Sequence, residues 1–247
     1  MYLERLLSNK LAILAAPGAF MQRLAHPDLV SFGLLANLQR LARVPALAGI
    51  DAVVDVGANT GQFAFMAHRV WPRLPVISFE PDPVCVAALT ANRSRHGIPG
   101  EIVASAVGAD ATPIELQVYA DRVNNSRFAR VGELPADRVR VASVALDEFF
   151  GGRPAPVRAL LKIDTQGAEL GVIHGARAFL SRCRGVLVEV AVRQAYAGAA
   201  RFPEVLEQME QLGFVAFDVV DTLRGPDRDG RPLRELDLLF VPVVPAP

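Results

Sequence analysis

The stretch Val53-Val54-Asp55-Val56-Gly57-Ala58-Asn59-Thr60-Gly61 constrains this chain more than any other. Val53, Val54 and Val56 form a short β-branched run of the kind buried on both faces of a parallel sheet. A loop with two glycines follows, and Gly57 and Gly61 let the backbone turn sharply and come close to a ligand. Phe63, Met66, Ala67 and Val70 then recur at helical spacing. Trp71-Pro72 ends that helix, because proline disfavours helical geometry in the residue before it. A buried strand that runs through a glycine loop into a helix sets a nucleotide-type site at the carboxyl edge of a doubly wound sheet.

The alternation continues downstream. Residues 76–79 read as a second strand ending at Glu80. Asp82 caps the next helix, Pro83 takes its first position, and Gly97 stops it after His96. Residues 101–107 read as a third strand, with shorter ones at 114–119 and 139–146. Residues 160–163 form a strand feeding a helix marked by Leu170, Ile173, Ala176 and Leu180, which ends near Gly185. A buried strand at 186–190, a helix at 202–212, and strands at 214–223 and 236–241 complete the pattern, the last two joined by a turn-rich linker at 224–232. The expected fold is α/β: a doubly wound, mostly parallel seven-stranded sheet with an antiparallel C-terminal strand, plus a small N-terminal helical extension. The extension is drawn at residues 1–48 and the sheet domain at 49–247.

Composition narrows the function. The chain has 247 residues, 51% of them hydrophobic, enough for a core with both sheet faces covered. A formal net charge of +0 supplies no global field for nucleic acid. Cys85 and Cys183 match no disulfide or metal pattern and read as small core residues of a cytoplasmic protein. The four histidines, at 26, 68, 96 and 174, share no metal-ligand spacing, so no metal is expected. The apolar run from Leu11 to Phe20 is broken by Pro17-Gly18. It is far shorter than the ~20 residues of a membrane span, and no convincing small-x-small cleavage site follows it. The extension reads as two or three short helices; closing the site and making a homodimer are both open uses for it.

Charged residues inside apolar strands need partners. Lys162 and Asp164 are two apart and share a strand face. A lysine in a central strand is costly unless paired, and Glu189 is as awkwardly placed. The expectation is a buried network with Lys162 between Asp55 and Glu189. Glu80 follows Gly57 by just over twenty residues, where nucleotide-binding sheets set a carboxylate on the ribose hydroxyls. The plain alternative is an acid that caps or pairs locally at a strand end. Between 121 and 137 the chain is polar and irregular. Asn124, Asn125, Ser126 and Arg127 there read either as acceptor-recognition residues or as a solvated hairpin loop.

Taken together, residues 54–61, Phe79-Glu80-Pro81-Asp82-Pro83, Ala106-Val107-Gly108, Leu146-Asp147-Glu148-Phe149, Lys162-Ile163-Asp164-Thr165-Gln166-Gly167-Ala168-Glu169 and Val188-Glu189-Val190 resemble the FkbM-type methyltransferases, a class I, Rossmann-like family. The resemblance runs in order over roughly residues 50–243, and the Lys162–Glu169 segment is its most specific part. It implies S-adenosylmethionine as methyl donor. On matching positions it implies that Asp55, Gly57, Asn59 and Gly61 surround the methionine part and adjoining ribose, that Glu80 takes the ribose hydroxyls, and that Pro81 and the Ser105-Ala106-Val107 turn flank adenine. Asp164 would border the transferred methyl. A carboxylate and backbone carbonyls suit a donor carrying a sulfonium and an amino group better than a phosphate cradle would.

Methyl transfer is an in-line displacement with a good leaving group, so holding the acceptor oxygen in line and excluding water supplies most of the catalysis. Asp164 is the first choice to orient the acceptor or accept its proton, with Gln166 and Glu169 behind it. Glu169 also reads as a first-turn acid favoured by the helix dipole. The expected activity is O-methylation of a hydroxyl on a sugar, glycolipid or polyketide-like metabolite. A nicotinamide-dependent oxidoreductase on the same sheet is the first alternative, but the loop lacks Gly-x-Gly-x-x-Gly spacing. A non-catalytic donor-binding protein is the second, and the intact motifs argue against it.

Overall fold

The computed structural model describes residues 29, 31–225 and 232–243. The Leu11–Phe20 run and most of the 224–232 linker lie outside the described residues. Helix α1 (Phe32–Leu41) leads into β1 (Ala52–Val56), α2 (Gln62–Val70), β2 (Val76–Phe79), α3 (Pro83–His96) and β3 (Gly100–Val103). Four short strands follow, β4 (Ala106–Val107), β5 (Ile114–Val118), β6 (Asp137–Val141) and β7 (Ser143–Val144), and then α4 (Leu146–Gly151). The chain closes with β8 (Ala159–Ile163), α5 (Glu169–His174), α6 (Arg177–Leu180), β9 (Cys183–Ala191), α7 (Phe202–Gln211), β10 (Phe214–Arg224) and β11 (Leu233–Pro242).

Seven strands form one sheet in the order β10-β11-β9-β8-β1-β2-β3. Neighbours from β9 to β3 run parallel, and β11 is antiparallel to both β9 and β10. The seven-stranded sheet with its antiparallel C-terminal strand is the architecture expected from the alternation of elements. Every residue of β1 and β8 is buried, because helices cover both faces. One face packs Val54, Val56, Leu161 and Ile163 against Phe179 and Met209. The other packs Val53 and Leu160 against Phe63, Met66 and Leu38.

The described part of the 1–48 extension belongs to that second layer. Leu35, Leu38 and Leu41 of α1 are buried in it, and Arg40 pairs with Asp218 on β10. Helix α3 is bounded as its sequence predicts: Asp82 Oδ1 accepts from Val84 N (2.9 Å), and Gly97 closes the helix at φ 62°.

Three expectations are corrected. The strand expected at 101–107 stops at Val103, where Ser105 N turns back to Val103 O, and Ala106-Val107 pairs instead with Ser143-Val144. Leu146 opens a helix rather than ending a strand. The helix expected after 164 is two helices, broken at Gly175, where an added Cβ would lie 2.0 Å from Gly108 O. No helix among the described residues is long and apolar enough to cross a membrane.

Candidate functional site

Strands β2 and β8 flank β1 on opposite sides, so the connections leave the sheet in opposite directions between β1 and β8. Such a switch point opens a crevice at the carboxyl ends of the strands. A cavity of about 440 Å³ lies there, within the size range of small-molecule sites. One part of its wall is Gly57, Asn59, Glu80, Pro81 and the turn Ser105-Ala106-Val107. Another part is Asp164, Gln166, Glu189, Tyr196 and the 122–127 loop.

Glu80 is buried at the end of β2. Its Oε2 accepts from Asn59 N (2.7 Å) and its Oε1 from Asp82 N (2.8 Å). Burial pushes its carboxyl up to about 7, against the pull of those two bonds. Asn59 sits at φ 48° and donates its side chain to Arg122 O (2.9 Å). Asp82, besides capping α3, pairs with Arg122 and accepts from Asn125 Nδ2 (2.8 Å). Ser126 Oγ donates to Gln166 O (2.7 Å). The four loop residues read as acceptor-recognition candidates therefore divide: Asn124, Asn125 and Ser126 spend their side chains fastening the loop, while exposed Arg127 lies over the Phe128 ring. All four line the cavity.

Gly57 is required by packing between strand ends. At φ 80° it has an added Cβ position only 1.8 Å from Asp164 O. Gly61 starts α2 at φ 95° against Leu89, and Asp55 is fully buried in mid-strand; neither lines the cavity.

The buried charge network forms with altered membership. Strand register sets Asp55 opposite Lys162, and the Lys162 ammonium reaches Asp164 Oδ2 (3.0 Å), Gly57 O (3.2 Å) and Asp55 Oδ1 (3.4 Å). Burial opposes the charge on Lys162, but Asp164 and Asp55 more than reverse that, and its pKa is raised. Glu189 is not the third partner. Leu187 is the residue opposite Lys162, so Glu189 lies one pleat further along and accepts from Gln166 Nε2 (2.7 Å). The same nitrogen donates to Asp164 Oδ1 (2.9 Å). Burial would raise the Asp164 carboxyl, yet Lys162 and Gln166 hold it below its ordinary value.

Glu169 faces its own turn. Its Oε1 accepts from Gly167 N (2.9 Å), Thr165 N (3.2 Å) and Thr165 Oγ1 (3.2 Å), and it does not line the cavity. Tyr196 also lines the cavity. Its hydroxyl donates to Gln166 Oε1 (2.9 Å), but it stands in an irregular stretch, Ala195-Tyr196-Ala197-Gly198, with no motif to mark it. Arg234 and Glu235, also in the wall, come from the far end of the chain and were equally unmarked.

The wall fits an adenosyl donor chemically. It combines a buried carboxylate on β2, an open glycine loop, an apolar patch of Phe79, Val107, Ile114 and Leu116, and a second carboxylate, Asp164, suited to a positive sulfur. Among the described residues no group of three or more His, Cys, Asp or Glu side chains could hold a metal ion.

Residues 55–216 match the Methyltransferase FkbM domain. The 31-O-demethyl-FK506 methyltransferase FkbM of Streptomyces tacrolimicus is 32% identical over 169 residues, which are 57% of this chain and 65% of that protein. The hexuronic acid methyltransferase AglP of Haloferax volcanii is 24% identical over 140 residues, 57% of this chain and 56% of its own. The chain thus spans less than two thirds of either relative. TehB from Haemophilus influenzae superposes with a TM-score of 0.51 at 8% identity, over 89% of this chain and 65% of that one, a likeness of fold alone.

Proposed function

Because the chain belongs to the FkbM methyltransferase family, we propose that it transfers the methyl group of S-adenosylmethionine to a hydroxyl of a sugar, glycolipid or polyketide-like metabolite. The observation that carries this reading is one cavity at the switch point whose wall includes both Glu80 and Asp164. Relatives named for a 31-O-demethyl compound and a hexuronic acid support an oxygen acceptor. The charge balance of the chain gives no reason to expect a nucleic-acid substrate. Both cysteines are buried and free, which suits the cytoplasm.

In this reading Glu80 holds the ribose hydroxyls, the 57–59 loop holds the methionine part, and Pro81 with Ser105, Ala106 and Val107 flanks adenine. Asp55 and Gly61 act from behind, Asp55 through Lys162 and Gly61 by starting α2. When bound, the donor supplies a methyl group activated by a positively charged sulfur. The chain's own residues then need to hold the acceptor oxygen in line and keep water out. Asp164 is kept ionised by Lys162 at that point, and Gln166 is held in one orientation by Tyr196. Glu169 stabilises the turn that presents Asp164 and Gln166. Mass spectrometry of glycan and polyketide extracts incubated with the chain and S-adenosylmethionine tests the activity. Gain of one methylene unit by a hydroxylated component is expected; methylation confined to amines or carbon would overturn the oxygen assignment.

Donor affinity is expected to depend on pH through Glu80. Ribose hydroxyls donate to the ionised carboxylate, and the free carboxyl titrates at about 7, so binding must expel a proton below that pH. Calorimetry should show S-adenosylhomocysteine binding weakening by up to about tenfold per unit below that pH and levelling above it. Glu80→Gln should bind weakly with a flat profile.

A further inference from the structure

The reading above leaves two carboxylates of the cavity wall unused, Glu189 and Glu235. We propose that Glu189, rather than Asp164, takes the proton of the acceptor hydroxyl. The proposal rests on the methyltransferase reading and deepens it.

The carboxylates of Asp164 and Glu189 are bridged by the Gln166 amide and also interact directly. Gln166 Nε2 gives one hydrogen to Asp164 Oδ1 (2.9 Å) and the other to Glu189 Oε1 (2.7 Å). Flipping the amide would turn its oxygen onto the Asp164 and Glu189 oxygens, and in the observed orientation that oxygen lies 2.9 Å from the Tyr196 hydroxyl. The acids are therefore held side by side, but their surroundings differ. Lys162 donates to Gly57 O and stands at ion-pair distance from Asp164 (3.0 Å) and Asp55 (3.4 Å), which favours the ionised form of Asp164. Glu189 lies outside that ion-pair set.

Every other acid near Glu189 works against its ionisation. Lys162, Asp164 and Gln166 face it from β8 and the turn after it, Glu235 and Asp237 face it from β11, and Tyr196 lies across the cavity. Burial first, and then Asp164, Glu235 and Asp237, hold the Glu189 carboxyl well above its usual range, and Lys162 offsets only part of this. Neighbouring carboxyls pushed in opposite directions mark a division of labour. The one held low stays charged. The one held high is, when ionised, the stronger proton acceptor, since an ordinary carboxylate is too weak a base.

The step balances without another reactant. The acceptor oxygen uses a lone pair to form its bond to the methyl carbon. The carbon–sulfur bond breaks with its pair staying on sulfur, which becomes neutral. The hydroxyl proton passes to a Glu189 oxygen, its bonding pair remains on the new ether oxygen, and Glu189 later returns the proton to water.

The test uses the full chain, S-adenosylhomocysteine as probe, and the variants Glu189→Gln and Asp164→Asn, both of which can still accept from Gln166. Calorimetry reads binding, and infrared difference spectra across a pH titration read the carbonyl stretch of protonated carboxyls. Expected is a band titrating above the ordinary carboxylate range that the probe perturbs, that persists in Asp164→Asn and that is missing in Glu189→Gln. Subtracting the variant spectrum separates it from Glu80 and Asp237, which titrate at about 7. With any acceptor that gains a methyl, Glu189→Gln should lose at least about 100-fold in kcat at unchanged probe affinity. A band that survives in Glu189→Gln while the probe still binds overturns this inference alone, as does undiminished kcat. No binding to the unaltered chain overturns the donor reading and this inference with it.

Discussion

Lys162→Met is expected to cost the fold about 3–5 kcal/mol at neutral pH, the range for removing one partner of a buried ion pair. The substitution keeps the length of the side chain but leaves Asp55 without its cation. Asp55 is fully buried, and neither of its oxygens has a hydrogen-bond partner even with the lysine present at ion-pair distance. Burial already raises its pKa, and Lys162 provides the main opposing pull. Without the lysine the carboxyl must either protonate or remain charged in an apolar strand. A group whose folded pKa lies above its unfolded value stabilises the fold below the unfolded pKa and loses that contribution as pH rises through the folded one. The deficit of Lys162→Met should therefore shrink as the solution is acidified. Pairing it with Asp55→Asn should recover part of the loss, a coupling of about 0.5–3 kcal/mol in a double-mutant cycle. Chemical denaturation of the four chains measures both quantities. A loss below about 1 kcal/mol, independent of pH, would show that the pair carries no such weight.

Gly57→Ala should be at least as damaging to the site. The backbone is left-handed there, at φ 80°, and the new methyl would have to occupy the space of Asp164 O. The obstacle is a main-chain carbonyl on a central strand, so no side chain can rotate away. The ends of β1 and β8 must move apart, which separates the 57–59 loop from Asp164 and removes Gly57 O from Lys162. Strain of this kind is expected to cost about 2–4 kcal/mol of stability. Affinity for S-adenosylhomocysteine should fall by more than about 100-fold, or about 2.7 kcal/mol. Calorimetry checks the affinity and thermal melting the stability. Gly61→Ala is the useful comparison: it shares the left-handed backbone, at φ 95°, but its closest contact would be a side-chain atom, Leu89 Cδ1 (2.6 Å), and the residue lies off the cavity wall. Equal losses of affinity in the two variants would argue against a specific role for the Gly57 contact.

The contrast between legible and illegible parts of the chain follows from how local their causes are. The β1 loop, the Asp82 cap and the Gly97 stop are set by residues within one turn of each other, and they lie where the sequence pattern puts them. The seven-stranded sheet was readable because its central strands are short continuous apolar runs. The 104–146 region was not. Ala106-Val107 is too short to form a strand by propensity, and its partner, Ser143-Val144, is far along the chain. The break at Gly175 comes from contact with Gly108 O, which no helical periodicity encodes.

The site divides in the same way. The spacing of Glu80 from Gly57 sets it at the end of the second strand, and it lines the cavity there. The pairing of Lys162 with Asp55 was found because an isolated lysine in a buried strand demands a carboxylate. The assignment of Glu189 to that lysine failed by one pleat, since strand order and facing direction were inferable but register was not. Register set Leu187 opposite the lysine and left Glu189 to Gln166. Tyr196 had no local signal at all, and only the folded chain brings its hydroxyl to the Gln166 amide.

A crystal structure of the chain with S-adenosylhomocysteine tests the central claim most directly. Density for the nucleoside is expected in the cavity between Glu80 and Asp164, with both ribose hydroxyls on Glu80 and adenine between Pro81 and the Ser105–Val107 turn. The sulfur should lie on the Asp164 side, facing Gln166 and Glu189. An empty cavity in crystals grown at saturating ligand, or ligand bound elsewhere on the chain, would contradict it.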